Sequence, residues 1–199
     1  MTRRLRKLEV SDLDDGQRTL YQDLVGGPRG QGPQLFALRD EQGRLEGPFN
    51  AMLLRPPLGS ALQALGARVR YSSRLGDRAR ELAILTVGYA WNSDFEVYSH
   101  ERIARAAGLT EAELTAVRTG RFTALDDPAE RTVATLAQAL VKRSDLTDEE
   151  YQAGCQALGE DGLFELTTLV GYYATLALQL RVFRVPLPGD QEPGPSASV

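Results

Sequence analysis

The chain has one cysteine, one histidine, one tryptophan and two methionines in 199 residues. The lone cysteine, Cys155, cannot close an internal disulfide or supply a Cys-x-x-Cys redox pair. One cysteine and one histidine are too few for a zinc site of the usual ligands, so no metal is expected. Lysine is scarce as well: Lys7 and Lys142 are the only two, and arginine carries the remaining positive charge. Codon usage accounts for that bias as readily as anion recognition does. The net charge of −4 gives a nucleic-acid partner no global electrostatic support. Long apolar runs are missing too. The most apolar stretch, Leu163 to Leu180, contains Glu165, several threonines and Gln179, so no membrane span is expected. The basic start MTRRLRKLEV has no apolar run behind it, which argues against a signal peptide and makes the cytoplasm the expected location.

What is present fits one compact domain with an extension. Residues 1–47 read as an N-terminal extension. It has a short helix over 11–25 starting near Ser11 or Asp12, a Gly/Pro-rich connector from Gly26 to Pro33, and a small hairpin around the turn Asp40-Glu41-Gln42-Gly43. The connector lacks the GK[ST] ending and the preceding strand of a phosphate loop. Residues 48–186 read as a helical domain, and 187–199 as a tail that composition marks as disordered. Helix starts stand out at Thr110-x-x-Glu113, Asp127-Pro128-x-Glu130 and Thr147-x-x-Glu150, with Gly108, Gly120 and Gly159 as stops. The last helix, over about 162–182, is apolar around most of its circumference, which predicts burial in the core or against another subunit.

The single histidine closes a spaced pattern: Glu81, eleven residues, Ser93, two residues, Glu96, three residues, His100. On a helix Ser93, Glu96 and His100 fall within an arc of about 60°. Glu81 lies on the preceding apolar segment, beyond a break near Trp91-Asn92-Ser93. A helical hairpin would bring it to the imidazole, and two carboxylates beside one histidine can move protons. Two other readings compete. Ser93-Asp94-Phe95-Glu96 also fits a capping box. Glu81 also fits a solvent-facing charge paired with Arg78 or Arg80.

The stretch from Arg78 to Leu109 resembles the carboxymuconolactone decarboxylase family, which is also the alkylhydroperoxidase D-like family. Redox members carry Cys-x-x-Cys-x-x-x-His with a glutamate upstream. On that pattern Glu81 and His100 match the glutamate and histidine, while Ser93 and Glu96 occupy the two cysteine positions. Decarboxylase-like members have a Tyr-Glu-x-x-x-His run, close to Phe95-Glu96 through His100. Leu45 to Asn50, continuing to Arg55-Pro56-Pro57, is similar to the upstream part of longer members. The resemblance covers roughly residues 10 to 187.

It implies an all-α fold of antiparallel helical hairpins and a homo-oligomer, a dimer, trimer or hexamer. It also implies a cofactor-free enzyme acting on a small carboxylated lactone or related unsaturated acid. His100 would be the main acid/base, Glu96 would polarise it or share its proton, and Glu81 would complete the relay. Ser93 and Arg74 are the substrate-binding candidates, with Arg70, Arg102, Asn50 and Arg55 behind them. Trp91, Phe95 and Tyr98 read as core. Two alternatives stand beside this: a non-catalytic small-ligand binder of the same fold, and a peroxidase-related protein, which the missing cysteine pair disfavours.

Overall fold

The computed structural model describes residues 4–31 and 34–190. Among them the chain forms eight α-helices and four short 3-10 turns, and no strand. The helices are α1 (Asp15–Gly26), α2 (Pro48–Met52), α3 (Pro56–Tyr71), α4 (Asp77–Ala90), α5 (Asp94–Ala106), α6 (Glu111–Thr119), α7 (Pro128–Arg143) and α8 (Asp148–Val182). The all-α reading of the sequence is therefore the observed architecture.

Local chemistry sets the boundaries. Thr110 with Glu113, and Thr147 with Glu150, close reciprocal capping boxes at α6 and α8. Asp127 caps α7 by accepting from the Ala129 and Glu130 N–H groups, with Pro128 in the first turn. The first helix starts later than expected. Asp14, not Ser11 or Asp12, is its cap, because Asp14 and Gln17 exchange side-chain bonds with each other's N–H groups at 2.8 and 3.0 Å. The expected hairpin shrinks to a single bridge between Arg39 and Leu45. The Asp40 carboxylate takes the Gln42 and Arg44 N–H groups that a longer ladder would use. Gly159, at φ 74°, breaks α8 into two limbs, 148–158 and 160–182.

Helix α4 is the centre of the packing: every residue from Arg80 to Tyr89 is buried, and α5, α6, α7 and α8 all lie against it. The N-terminal leucines Leu13, Leu20, Leu24, Leu38 and Leu45 share one apolar cluster with residues of α4, α7 and α8. Leu187 is buried against Phe95 and Leu180, so the chain stays packed beyond residue 186, where a disordered tail was expected to begin. Residues 191–199 of that tail, and Gly32 and Pro33 of the connector, lie outside the described residues.

The second limb of α8 departs from the expected all-round burial. Leu166, Leu169, Tyr173 and Leu176 face the core, while Phe164, Leu178 and Val182 are exposed along a stripe with Thr168, Gly171 and Thr175. Among the described residues no helix is long and apolar enough to cross a membrane.

One backbone position ties the N-terminal segment to α5. Gly47, just before Pro48 at the start of α2, has φ 60° and ψ −140°, and a Cβ there would collide with the Phe95 ring. Gly47→Ala therefore carries both backbone strain and a clash. We expect it to lower the unfolding free energy by at least about 2 kcal/mol, read from urea denaturation.

Candidate functional site

Helix α4 ends at Ala90, Asn92 takes a left-handed conformation (φ 48°), and α5 starts at Asp94, folding back along α4. This hairpin brings His100, two turns into α5, against Glu81, one turn into α4. The His100 Nδ1 and the Glu81 Oε2 are 2.6 Å apart, and both side chains are almost wholly buried. Whether the proton rests on nitrogen or oxygen, the contact orients the ring and leaves the second nitrogen for other chemistry. The His100 ring also meets the Tyr173 ring of α8 edge to face, with centroids 5.1 Å apart. Glu81 is not a solvent-facing charge: Arg78 pairs with Glu113 and Glu130 instead, and only Arg80 approaches Glu81, at 3.7 Å.

His100 opens onto a small cavity of about 30 Å³, enough for about one water. Its lining includes Glu96, Ser99 and His100 from α5, Tyr172 and Tyr173 from α8, Arg70 from α3, and Arg29. Phe36, Phe49, Phe95, Leu176 and Leu180 supply apolar walls. Buried polar atoms are normally hydrogen-bonded. Here four lining residues depart from that rule: both Glu96 oxygens, the Ser99 hydroxyl, the Tyr172 hydroxyl and one terminal nitrogen of Arg29 make no hydrogen bond of good geometry, although Ser93 lies near Glu96 and Arg29 near Tyr172.

The electrostatics follow from burial. Desolvation pushes the Glu96 carboxyl well above its ordinary 4.5, opposed only by the Ser93 hydroxyl. Desolvation pushes His100 below its ordinary 6.5; Glu81 pulls it up, and Arg70 and Arg80 add to the drop. Burial likewise raises the Tyr172 and Tyr173 phenols. The cavity thus favours a protonated carboxyl beside a neutral imidazole, an arrangement suited to general acid–base chemistry.

The structure redistributes the sequence candidates. Glu81 and His100 touch, and Glu96 shares the cavity wall with His100 without hydrogen-bonding to it. The group oriented to polarise the imidazole is therefore Glu81, not Glu96. The Ser93-to-Glu96 capping box is absent: Ser93 occupies the N-cap position but makes no cap bond, and its hydroxyl meets Glu96 only in poor geometry. Ser93 does not line the cavity, because its φ of −94° and ψ of 88° take it out of the helical phase that aligns Glu96 with His100.

Arg74 is misplaced as a substrate-binding residue. Helix α3 ends at Tyr71, and Arg74 lies beyond it, exposed, ion-paired with Asp161 and bonded through its backbone to Glu165. It lines a separate open groove of about 580 Å³ between α4, α7 and α8. Arg70, one turn earlier, reaches the cavity instead. Arg102 lies over the Tyr98 ring at 3.6 Å, and Asn50 is spent on the Leu8 N–H and the Arg6 carbonyl. Arg29 and the tyrosine pair were not singled out from the sequence. Tyr172-Tyr173, two phenols in an otherwise apolar helix, was the available signal; Arg29, in a Gly/Pro connector, offered none. Among the described residues, no three His, Cys, Asp or Glu side chains are grouped to hold a metal.

Residues 56–139, which hold Glu81, Glu96 and His100, match the model of the carboxymuconolactone decarboxylase family. Over this stretch, less than half of the chain, the sequence is similar to that family. It lacks the redox cysteine pair, since Cys155 on α8 is its only cysteine. No curated protein matches the sequence. The fold is shared with an alkylhydroperoxidase AhpD core, a peroxidase-related protein from Ralstonia eutropha JMP134. The TM-score is 0.73 at 14% identity, over 96% of this chain and 98% of that one. A peroxidase-related protein from Silicibacter sp. TM1040 also scores 0.73, at 10% identity over 94% and 93% of the two chains. The debrominase Bmp8, as a cysteine-to-alanine variant with 2,3,4-tribromopyrrole, scores 0.71 at 14% identity over 96% and 94%. At these identities the likeness concerns the fold.

Glu96 gives the protein a pH-dependent liability. Its folded pKa is raised, so folding becomes less favourable as pH rises from the ordinary value of 4.5 towards the folded one. Glu96→Gln removes that linkage and leaves His100 in both proteins. The melting temperature of Glu96→Gln minus that of the parent should therefore increase as pH is raised from 4.5 to 8. A difference independent of pH would show that Glu96 is not held protonated.

Proposed function

We propose that the cavity at His100 is the acid–base centre of a cofactor-free, carboxymuconolactone decarboxylase-type enzyme. Its substrate would be a small carboxylated lactone or related unsaturated acid. The observation that carries this reading is a buried Glu96 carboxyl, without a well-formed hydrogen bond, on the same wall as an imidazole braced by Glu81. In the reaction, the bond between the substrate carbon and its carboxylate breaks and CO2 leaves. The electron pair passes into the conjugated system as an enolate. Protonated Glu96 gives its proton to the carbon. His100, held by Glu81, exchanges a proton with the enolate oxygen, and the returning proton comes from solvent.

The family's enzymatic relatives support catalysis, and the debrominase neighbour, caught with a tribromopyrrole, is consistent with a small flat ring as ligand. The peroxidase-related neighbours suggest thiol chemistry, but Cys155 does not line the cavity. A non-catalytic binder would use the same cavity without turnover.

The test is CO2 release from a panel of carboxylated lactones. His100→Asn, Glu96→Gln and Glu81→Gln should each remain folded and lose about 10²–10⁴ of turnover. The His100→Asn/Glu81→Gln double variant should lose far less than the product of the single losses, because the pair acts as a unit. Binding of the acids without CO2 release would return the protein to the binder reading.

We also infer a homo-oligomer, with the exposed stripe of α8 in the subunit contact. Phe164, Leu178 and Val182 form an uncharged face that a lone chain leaves in water. Light scattering should give a dimer, trimer or hexamer, and Phe164→Glu with Leu178→Glu should shift it towards monomer. A parent protein that is monomeric at all working concentrations would refute this.

A further inference from the structure

Arg29 and Arg70 belong to two cavities at once. Both line the inner chamber that holds Glu96 and His100. Both also line an outer cavity of about 140 Å³, together with Gln31, Gln34, Leu35 and Tyr71. Phe36 and Phe49 are shared in the same way, so these four side chains form the wall between the chambers. The Arg29 guanidinium lies 5.1 Å from the Phe49 ring centroid and 6.0 Å from that of Tyr71. Arg70 lies 6.0 Å from the Phe36 centroid and 5.5 Å from that of Tyr71. Aromatic faces thus hold both cations in place.

Among the described residues, neither arginine has an acidic partner. Arg44, Arg78, Arg105 and Arg118, by contrast, each meet a carboxylate. Arg29 donates a long hydrogen bond, 3.5 Å, to the amide oxygen of Gln63 and interacts loosely with the Tyr172 hydroxyl. A terminal nitrogen of Arg29 and the hydroxyl of Tyr172 are buried beside each other without a hydrogen bond of good geometry, and Tyr172 itself is almost wholly buried. Both atoms press on Gly66 of α3, where any Cβ would collide with them. Glu81, the one carboxyl group in contact with His100, does not line either chamber.

We propose that Arg29 and Arg70, completed by the Tyr172 hydroxyl, form a carboxylate clamp at the junction of the two chambers. The ligand class is a small, flat, unsaturated carboxylate: one carboxylate lies in the clamp and the ring between Phe36 and Phe49, and a substrate for decarboxylation would carry a second carboxylate, the departing one, outside the clamp. Two guanidinium groups on aromatic supports and a phenolic O–H offer the donors a carboxylate accepts, in a setting where water competes poorly. The inference rests on the acid–base reading in one respect: the clamp would point the ligand's reacting carbon into the inner chamber, at Glu96 and His100. The clamped group is one that survives the reaction. Holding the departing carboxylate would stabilise the starting state and oppose its loss.

Calorimetric titration of the full chain with 2-furoate and its neutral isostere 2-furamide tests the clamp without turnover. Furoate should bind at least about tenfold more tightly than the amide, the difference expected of charge-assisted hydrogen bonds. Arg29→Gln and Arg70→Gln should each weaken furoate by about tenfold or more while leaving the amide nearly unchanged. Tyr172→Phe, which removes only a hydroxyl, should weaken furoate by a smaller factor and serves if an arginine variant fails to fold. Equal binding of acid and amide, no furoate binding at millimolar concentration, or folded arginine variants that bind furoate like the parent would each overturn the proposal. His100→Asn separates the two ideas. Furoate binding that survives this change and needs the arginines supports the clamp even if no lactone is turned over. Turnover that needs His100, with furoate binding indifferent to the arginines, would remove the clamp alone.

Discussion

A carboxyl group at position 81 is surrounded by the most buried helix of the molecule, and it has to be met there by something that hydrogen-bonds. His100 is that partner. Leaving either group buried and alone would cost several kcal/mol, so the contact constrains the packing of α5 on α4. The rest of the site follows from that constraint. The left-handed turn at Asn92 reverses the chain, α5 runs back along α4, and Glu96, one turn before His100, is carried onto the same cavity wall. Because Glu81 occupies one imidazole nitrogen, the ring reaches the cavity with a fixed orientation and no second protein partner among the described residues.

The molecule treats its charges in two ways. On the surface it pairs them: Arg78 with Glu113 and Glu130, Glu101 with Arg105 and Arg118, and Arg143 with Glu150. These networks hold α4 to α6 and α7 and link the end of α5 to α6. Around the cavity it leaves polar groups without well-formed hydrogen bonds on three separate elements: Glu96 and Ser99 on α5, Tyr172 on α8, and Arg29 in the N-terminal segment. A folded protein tolerates such groups when a ligand completes them, and their convergence on one small space separates this cavity from the larger groove beside Arg74. That groove is wider and open, but its arginines already have carboxylate partners.

The N-terminal segment is also part of the site rather than an accessory to it. Phe36, Phe49 and Arg29 come from residues before α3, and Gly47 allows Phe95 to approach. Yet those same residues lie outside the stretch that matches the family model, 56–139. Glu81, Glu96 and His100 therefore lie within the matched stretch, while Arg29, Phe36 and Phe49 lie before it.

Much was determined by the sequence alone, wherever the determinants are local. Capping pairs such as Thr110 with Glu113 and Thr147 with Glu150 act within one turn, so the helix starts are written in adjacent residues. The spacing of Glu96 and His100 places them on one helical face whatever surrounds them. The pairing of Glu81 with His100 was legible because a single hairpin joins them. Tertiary structure alone decided the rest. Ser93-x-x-Glu96 has the letters of a capping box, but Glu96 is buried on the cavity wall and makes no cap bond, and that burial raises its pKa. Arg70 and Arg74 look equivalent in sequence, yet the end of α3 at Tyr71 sends one to the cavity and the other to solvent. Arg29 and Tyr172 are far apart in the chain, and no local pattern links them. They meet because Gly66 leaves room for both, a packing decision that appears only when three distant segments are folded together.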